Sequence, residues 1–417
     1  MQKRKFLLFM ISCSLLILAD NPPEFGPRVS KGVVENNEID EASGLVASFK
    51  NIGVLWTHND SGNDNKIFAL DTIGKNLGEF TLNNIENRDW EDIAIGPGPD
   101  AEKSYLYIGD IGDNEAQYTI KYIYRFEEPT ISVGQTPANE TINNVEKISF
   151  YYPDDPRDAE TLMIDPATKD LYIVGKRDSK IRLYRLQYPQ STSINILAEK
   201  VTEFTLPNDP EEEKPFNYIT AGDISVDGTE IILKSYRNIY YWKKDSDKSI
   251  TETLLLNTPE ILPFVNSIDE TQSEAVCWKP YDDFGYYTLS EEKVNYNGIT
   301  LDFPANLYYY KRTSIINSVK KNFLQNKFIL EQNYPNPFNP TTEIKYQIPA
   351  IRGNDNANVQ LTIYDIIGRE VVTLLNQQQK PGKYAVKFDG SNYTSGIYYY
   401  RLTVGNFMES KKMLLLK

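Results

Sequence analysis

The chain has 417 residues, with 58 acidic and 44 basic side chains and a net charge of −14. This length allows two or three domains, and the negative charge disfavours general binding to nucleic acids or to anionic membranes. The composition, with 40% hydrophobic residues and 29 tyrosines, is typical of β-structure rather than of disorder. The single histidine excludes sites that need two imidazoles, such as an H-E-x-x-H zinc site.

The N-terminal residues predict a signal peptide. A basic stretch, Lys3–Lys5, precedes an apolar run, Phe6–Leu18, which is shorter than the roughly 20 residues that a transmembrane helix needs. We therefore expect residues 1–19 to be removed and the mature chain to have no transmembrane segment. Cys13 lies inside the apolar run rather than at its end, which disfavours lipidation. Cys277 is then the one remaining cysteine, so no intramolecular disulfide is expected.

Residues 28–312 contain five copies of a three-strand pattern. Each copy opens with a short motif that leads into an apolar inner strand, and two further strands follow. The motifs are Ala42-Ser43-Gly44-Leu45, Trp90-Glu91-Asp92-Ile93, Ala159-Glu160-Thr161-Leu162, Ala221-Gly222-Asp223-Ile224 and Ser273-Glu274-Ala275-Val276. Outer strands are predicted at Gly78–Leu82, Val145–Phe150 and Val201–Leu206. We predict a five-bladed β-propeller, or a six-bladed one if a copy is degenerate, with Arg28–Val34 completing the last blade.

Acidic residues recur where the inner strands begin. In a propeller these positions converge on one end of the central channel, and carboxylate oxygens are suitable ligands for a hard cation. The sequence thus predicts a Ca²⁺ site, with no other cofactor, formed by Glu91, Asp92, Glu160, Asp223 and Glu274. In the alternative interpretation, each acid accepts backbone N–H groups of the neighbouring blade and holds the ring together.

Two acidic loops, 58–65 and 109–114, follow equivalent second strands, so we expect them at the same end of their blades. Such loops can ligate Ca²⁺ or simply form turns, and neither has the complete EF-hand pattern. His58 is the one candidate general base, with ordinary hydrogen bonding as the alternative. The segments 89–94 and 105–110 resemble the blade signature of phytase-like esterases, which implies metal-assisted hydrolysis of phosphate or other esters.

Aromatic residues concentrate in three strands, 240–242, 286–287 and 308–310. They could stack on sugars or pack between blades. The sequence therefore supports two hypotheses for the propeller. It is either a binding module for a glycan, peptide or protein, or a calcium-dependent hydrolase. Whether the protein is an enzyme is left open.

Residues 313–327 are predicted to form a linker, and residues 328–417 a small immunoglobulin-like β-sandwich. Its strands alternate apolar and polar residues, and turn-forming pairs separate them. The prolines near its start cannot donate to a central ladder, so this segment should lie at an edge.

This C-terminal region resembles the type A C-terminal sorting domain of the type IX (Por) secretion system. The resemblance is carried by the proline-rich opening, the Tyr364-Asp365-Ile366 turn, the Gly-Ile-Tyr strand and the basic tail. The matching residues are Asn333, Pro335, Pro337, Phe338, Pro340, Gly368, Gly396, Arg401, Lys411 and Lys412. It implies Sec export to the periplasm, recognition by the type IX translocon, removal of the domain by a sorting peptidase, and release or attachment at the outer cell surface.

Overall fold

The computed structural model describes residues 23–178, 180–207, 217–265, 270, 273–280, 284–296, 299–314, 329–348, 357–380, 382–404 and 407–417. The predicted signal peptide and almost all of the predicted linker lie outside these ranges. Within them, no helix is both long and apolar enough to cross a lipid bilayer. The described chain is almost entirely β-structure.

Five β-sheets, each beginning with an inner strand, follow one another along the first three quarters of the chain. Blade 1 contains β2 (Ala42–Ala47), β3 (Val54–Asn59), β4 (Lys66–Asp71), β5 (Asn76–Leu82) and β9 (Ala138–Ile142). Blade 2 contains β6 (Trp90–Pro97), β7 (Ser104–Asp110), β8 (Lys121–Glu127), β10 (Glu146–Tyr151) and β14 (Ile196–Leu197). Blade 3 contains β11 (Ala159–Ile164), β12 (Leu171–Gly175), β13 (Ile181–Leu186) and β15 (Glu199–Phe204).

Blades 4 and 5 complete the set. Blade 4 contains β16 (Ile219–Ile224), β17 (Glu230–Ser235), β18 (Ile239–Lys243) and β19 (Glu260–Leu262), with α1 (Ile250–Leu256) between the last two strands. Blade 5 contains β20 (Ala275–Trp278), β21 (Tyr286–Leu289), β24 (Asn306–Arg312) and β1 (Phe25–Val33), and the hairpin β22 (Lys293–Tyr296) and β23 (Ile299–Asp302) interrupts it.

The inner strands form a closed ring. β2 contacts β6, β6 contacts β11, β11 contacts β16, β16 contacts β20, and β20 returns to β2. Five apolar cores lie between successive blades, as with Trp56 and Trp90 between blades 1 and 2. The described residues therefore form a five-bladed β-propeller, and the predicted fold is confirmed.

Small residues let the inner strands approach closely. A Cβ atom on Gly44 would lie 2.7 Å from the backbone nitrogen of Ile93, and one on Gly222 would lie 2.9 Å from Thr161 Cγ2. A larger side chain at either position would push adjacent blades apart.

Strand exchange closes the ring. β1 pairs antiparallel with β24, and Arg28 lies opposite Tyr310. This confirms the prediction that the segment before the first repeat completes the last blade. The outer edges of blades 1 and 2 each gain a short parallel strand, β9 and β14, from a later part of the chain.

The C-terminal region is a β-sandwich with its own core, which includes Tyr346, Leu361 and Tyr400. One sheet contains β25 (Ile329–Leu330), β26 (Thr341–Ile348) and β29 (Gly382–Asp389). The other contains β27 (Ala357–Tyr364), β28 (Glu370–Gln379), β30 (Gly396–Val404) and β31 (Phe407–Leu415).

Candidate functional site

The five inner strands begin at one end of the ring, which we call the mouth, and carboxylates gather there. Carboxylate oxygens of Asp60, Asp89 and Glu91 lie within 4.8 Å of one another, as do those of Glu91, Asp158 and Glu160. We call these five residues the carboxylate cluster. Glu91 belongs to both groups and therefore joins blades 1, 2 and 3.

Local structure explains how each acid reaches the mouth. Glu91 and Glu160 are the second residues of β6 and β11, and Asp89 and Asp158 precede the same strands. Asp60 follows directly after β3, whose end returns to the mouth because β3 runs antiparallel to the inner strand.

Asp158 and Glu160 already have basic partners. Asp158 accepts hydrogen bonds from the Asp113 amide at 2.9 Å and from Arg177 Nε at 2.7 Å. Lys176 Nζ donates to Glu160 Oε1, whereas Glu160 Oε2 is buried without a hydrogen-bond partner among the described residues.

A hydrogen-bonded chain links this side of the cluster to blade 5. Lys176 Nζ lies 3.3 Å from the hydroxyl of Tyr236, which donates to Glu274 Oε1 at 2.6 Å. Glu274 is therefore tied to the cluster, although its oxygens belong to neither close group among the described residues.

The Glu91 carboxylate is more isolated. The residue is 5% exposed, and its backbone oxygen accepts a hydrogen bond from Ser43. In the part of the chain that the structure describes, no group donates a hydrogen bond to its carboxylate, while a Cβ on Gly112 would lie 2.1 Å from Oε1. The bare backbone of the 109–114 loop thus covers this carboxylate.

Burial and mutual repulsion raise the pKa values of several acids at the mouth. Burial, followed by the charge of Asp60, raises the pKa of Glu91 well above its usual range. Burial, with Glu274 as the largest charge effect, raises the pKa of Asp60 to about 7. The pKa of Glu291 is raised by burial and then by Glu274 and Asp60. Both effects favour the protonated, neutral forms of these carboxyl groups over their ionised forms.

Asp92 and Asp223, which also belong to the predicted metal set, lie in neither close group. Asp92 accepts hydrogen bonds from the backbone amides of Ile93 at 2.9 Å, Leu162 at 3.0 Å and Gly222 at 3.4 Å. Asp223 accepts one from the Trp278 amide at 2.8 Å. These contacts, from blade 2 to blades 3 and 4 and from blade 4 to blade 5, fit the alternative interpretation in which acids hold the ring together.

His58 is fully buried beneath the mouth. Its Nδ1 lies 2.9 Å from the backbone oxygen of Asn59, and its ring meets Trp90 edge-on at 5.7 Å. Burial lowers its pKa to about 4, so the imidazole is neutral at physiological pH. This environment fits a packing residue better than a solvent-accessible general base.

The aromatic strands pack in the interior. Tyr286 stacks on Tyr310 with ring centroids 4.7 Å apart, and Tyr241 meets Trp278 edge-on across the interface of blades 4 and 5. Every tyrosine in these strands is buried. These tyrosines therefore do not form a surface on which a sugar could stack.

Three ligand candidates, Asp60, Asp89 and Asp158, were not in the predicted set. Asp89 and Asp158 could have been found from the sequence, because both belong to a repeated Asp-x-Glu pattern. The two copies of this pattern are Asp89-Trp90-Glu91 and Asp158-Ala159-Glu160. Asp60 lies in one of the two acidic loops, but only the folded ring shows that it meets a neighbouring blade.

In the sandwich, the proline-rich opening is fastened to the terminal strand. The Phe338 amide donates to the Leu414 oxygen at 2.9 Å, and the Phe338 oxygen accepts from Leu416 at 2.9 Å. Asn336 Oδ1 accepts from the Leu414 amide at 2.9 Å. Because Phe338 is 2% exposed, this segment is part of the folded domain.

Other predicted sorting residues occupy defined positions. The Asn333 side chain donates to the Pro335 oxygen at 3.1 Å, and Arg401 Nε donates to Ser410 Oγ at 3.2 Å. Gly368, with φ of +81°, occupies the left-handed position of the 365–369 turn. Lys411 pairs with Glu409 at 3.1 Å. The remaining positions lie as follows: Pro335, Pro337 and Pro340 in the opening segment, Gly396 at the start of β30, and an exposed Lys412 in β31.

The fold thus defines a class, a five-bladed propeller followed by a small β-sandwich. Residues 332–416 match the family described as the secretion system C-terminal sorting domain. The sandwich is therefore a sorting domain, as the sequence predicts, and it marks the chain for export. Comparison with curated proteins finds no match.

Several solved structures are similar over larger parts of the chain. PorZ, an essential surface component of the type IX secretion system of Porphyromonas gingivalis, shares 12% identity at a TM-score of 0.31, over 92% of this chain and 47% of PorZ. A luciferin-regenerating enzyme shares 12% identity at 0.37, over 67% of this chain and 94% of that one. Hydrazine synthase of Kuenenia stuttgartiensis shares 13% identity at 0.35, over 68% and 98%.

This chain spans about half the length of PorZ, with 47% covered. With TM-scores of 0.31 to 0.37, these structures are only distantly similar to this chain. The propeller assignment depends instead on the sheet order and on the closed ring of inner strands.

Proposed function

We propose that this protein is a cargo of the type IX secretion system and that its propeller is a binding module outside the cell. The observation that supports the export route is the sorting domain at residues 332–416. In this proposal the signal peptide directs Sec export to the periplasm, and the translocon then recognises the sandwich. A sorting peptidase removes the sandwich, and the propeller is released or attached at the cell surface.

Deletion of residues 328–417 tests this route in a bacterium that has a type IX system. The expected result is periplasmic retention of the propeller, measured by fractionation and by surface labelling of intact cells. Unchanged surface delivery would overturn the proposal.

A finer test compares two pairs of lysines in the same domain. Lys411→Gln with Lys412→Gln changes the basic tail in β31, whereas Lys383→Gln with Lys387→Gln removes the same charge from β29. We expect at least a tenfold loss of surface protein for the first pair and wild-type delivery for the second. Equal delivery of both variants would show that the basic tail has no special role in sorting.

For the binding module, the mouth is the surface that we favour. Its excess of buried carboxylates suits a ligand that carries positive charge, such as a basic peptide or protein, or a glycan held through a cation. Peptide and glycan arrays probed with wild-type protein and with a Glu274→Gln variant measure this directly. Ligands that bind both proteins equally would place the binding surface elsewhere on the propeller.

The second candidate is a calcium-dependent hydrolase of phosphate or other esters. The grouping of Asp60, Asp89 and Glu91 favours it, because a cation held by carboxylates can also activate a bound water. His58 is unsuited to be its general base because it is buried and its pKa is low. Hydrolysis of aryl phosphates and esters, measured with Ca²⁺ and with EDTA, should show a Ca²⁺-dependent rate if this candidate is right, and no rate if the propeller only binds.

A further inference from the structure

We propose that Asp60, Asp89 and Glu91 bind one hard divalent cation, Ca²⁺, and that this ion links blades 1 and 2 at the mouth of the propeller. The inference concerns only the propeller, so it does not depend on the export route. The candidate hydrolase activity would require such an ion. The ion could also bind to a propeller that has no hydrolase activity.

The spacing of the three carboxylates suits a shared ion. One oxygen from each lies within 4.8 Å of the other two. Two oxygens that ligate the same Ca²⁺ at roughly 2.3–2.6 Å are at most about 5 Å apart. All three groups can therefore reach one ion without rearrangement of the backbone.

The carboxylate of Glu91 is buried without a hydrogen-bond donor among the described residues, which also favours a bound ligand. Buried carboxylates normally accept hydrogen bonds or pair with a cation. Glu91 is 5% exposed, yet among the described residues none donates to its carboxylate. The backbone of Gly112 lies against this carboxylate, since a Cβ there would be 2.1 Å from Oε1. A bound cation would supply the missing partner.

The neighbouring group, Glu91 with Asp158 and Glu160, is a weaker candidate. Lys176 pairs with Glu160, and Arg177 pairs with Asp158 at 2.7 Å, so positive charge is already present there. Near Asp89, by contrast, Lys121 is engaged with the Gly112 oxygen at 3.1 Å and with Asp113 at 3.0 Å. Lys121 thus holds the covering loop in place, and its charge favours the ionised form of Asp89 without a direct contact to that carboxylate.

The chemistry of the donors selects the kind of ion. Each of the three residues offers carboxylate oxygen, and neither close group in the described ranges includes a histidine or cysteine, which favours a hard cation over zinc or copper. The ligands come from two blades and from a loop, so their geometry is irregular. Ca²⁺ tolerates irregular coordination, whereas Mg²⁺ requires a near-octahedral arrangement.

The test is calorimetric titration of Ca²⁺, and separately Mg²⁺, into the metal-free full-length protein. We expect one Ca²⁺ per chain in the wild type and at least a hundredfold weaker binding in Glu91→Gln. Glu199→Gln, a matched change at an exposed position in β15, should bind like the wild type. Glu160→Gln should also retain binding, because Glu160 belongs to the lysine-paired group.

Thermal unfolding provides a second measurement. It distinguishes a Glu91 that binds Ca²⁺ from a Glu91 that only stabilises the fold. Ca²⁺ should raise the melting temperature of the wild type but not of Glu91→Gln, because the ion binds only the folded site. Without Ca²⁺, Glu91→Gln should be at least as stable as the wild type, since glutamine keeps the size of the side chain and removes the repulsion between Glu91 and the neighbouring carboxylates. If that variant does not fold, Asp60→Asn, at a less buried position, replaces it and should show the same loss.

Three results would overturn the proposal. They are the absence of Ca²⁺ binding in the wild type, equal binding in Glu91→Gln, and loss of binding in Glu160→Gln while Asp60→Asn binds normally. The last result would assign the ion to the lysine-paired group instead. None of them bears on secretion, which the deletion of the sorting domain tests separately.

Discussion

The carboxylate of Asp92 accepts hydrogen bonds from three backbone amides, which belong to blades 2, 3 and 4. Asp92 is 1% exposed, so water cannot replace these bonds if the carboxylate is removed. Each buried amide left without a partner costs about 1–3 kcal/mol. Asp92 therefore contributes to stability through the amides that it satisfies.

The substitution Asp92→Ala should lower the free energy of unfolding by about 3 kcal/mol or more, because it leaves all three amides unpaired. Asp92→Asn keeps one acceptor oxygen and should cost less. Urea unfolding followed by tryptophan fluorescence measures both, since all four tryptophans lie in the propeller. An alanine variant as stable as the wild type would show that other groups hold the ring.

Asp223 should make the stability of the folded protein depend on pH. Burial raises the pKa of Asp223 to about 7, against an ordinary value of 3.8 in the unfolded chain. Between about pH 4 and pH 7 the folded protein then holds a proton that the unfolded chain has lost. This group therefore makes the free energy of unfolding fall as the pH rises through that window, by up to about 1.4 kcal/mol per pH unit.

The substitution Asp223→Asn removes this proton but keeps an acceptor for the Trp278 amide. The variant should lose less stability than the wild type between pH 4 and pH 7, and the two proteins should differ most near pH 7. Urea unfolding at several pH values in EDTA provides the comparison. Parallel stability curves for the two proteins would contradict the raised pKa.

At the scale of elements, the closing blade is fastened by a buried ion pair. Arg312, at the end of β24, donates to the two carboxylate oxygens of Glu230 in β17 at 3.0 and 2.8 Å. The Tyr241 hydroxyl also donates to Glu230 at 2.8 Å. This arrangement joins blade 5 to blade 4 through two nearly buried side chains.

Removal of one partner should destabilise the propeller more than removal of both. Arg312→Met leaves Glu230 buried without its cation and should cost about 3–5 kcal/mol. Adding Glu230→Gln to that variant should recover part of the loss, because the uncompensated charge disappears. Equal stability of the single and double variants in urea would show that the charge itself contributes little.

Much of the strand pattern could be predicted because inner, second and third strands repeat in a fixed order. The predicted outer strands, for example Gly78–Leu82, correspond closely to observed ones such as β5. The parallel strands β9 and β14 were missed, since pairing with a distant edge leaves little trace in local periodicity. In blade 4, α1 precedes a three-residue outer strand, which is too short for a clear pattern.

At the mouth, too, only part of the arrangement could be predicted from the sequence. The glutamates at the start of the inner strands could be predicted, because the repeats place them there. The partners of Asp92 could not be predicted, because they are backbone amides of other blades. The partners of Asp60 could not be predicted either, because they depend on the path of a loop between blades. Sequence position alone does not distinguish an acid that faces a channel from one that accepts backbone amides.

At the scale of the whole molecule, the propeller and the sandwich have separate apolar cores. A chain ending at residue 327 should therefore keep the tryptophan fluorescence of the propeller, with a melting temperature within about 2 °C of that of the full chain. Differential scanning fluorimetry and near-ultraviolet circular dichroism measure this. A large decrease would mean that the propeller needs the sorting domain for its stability.

Strand exchange also sets the order in which the molecule can be completed. Arg28 and Tyr310 are register partners although they lie 282 positions apart in the sequence. β1 is synthesised first, but it can pair only at the end, when β24 of blade 5 has also been synthesised. Contacts between such distant parts of a chain form slowly. Until then two sheet edges remain unpaired and open to other chains, so a chain halted before β24 should aggregate rather than persist as a four-bladed intermediate.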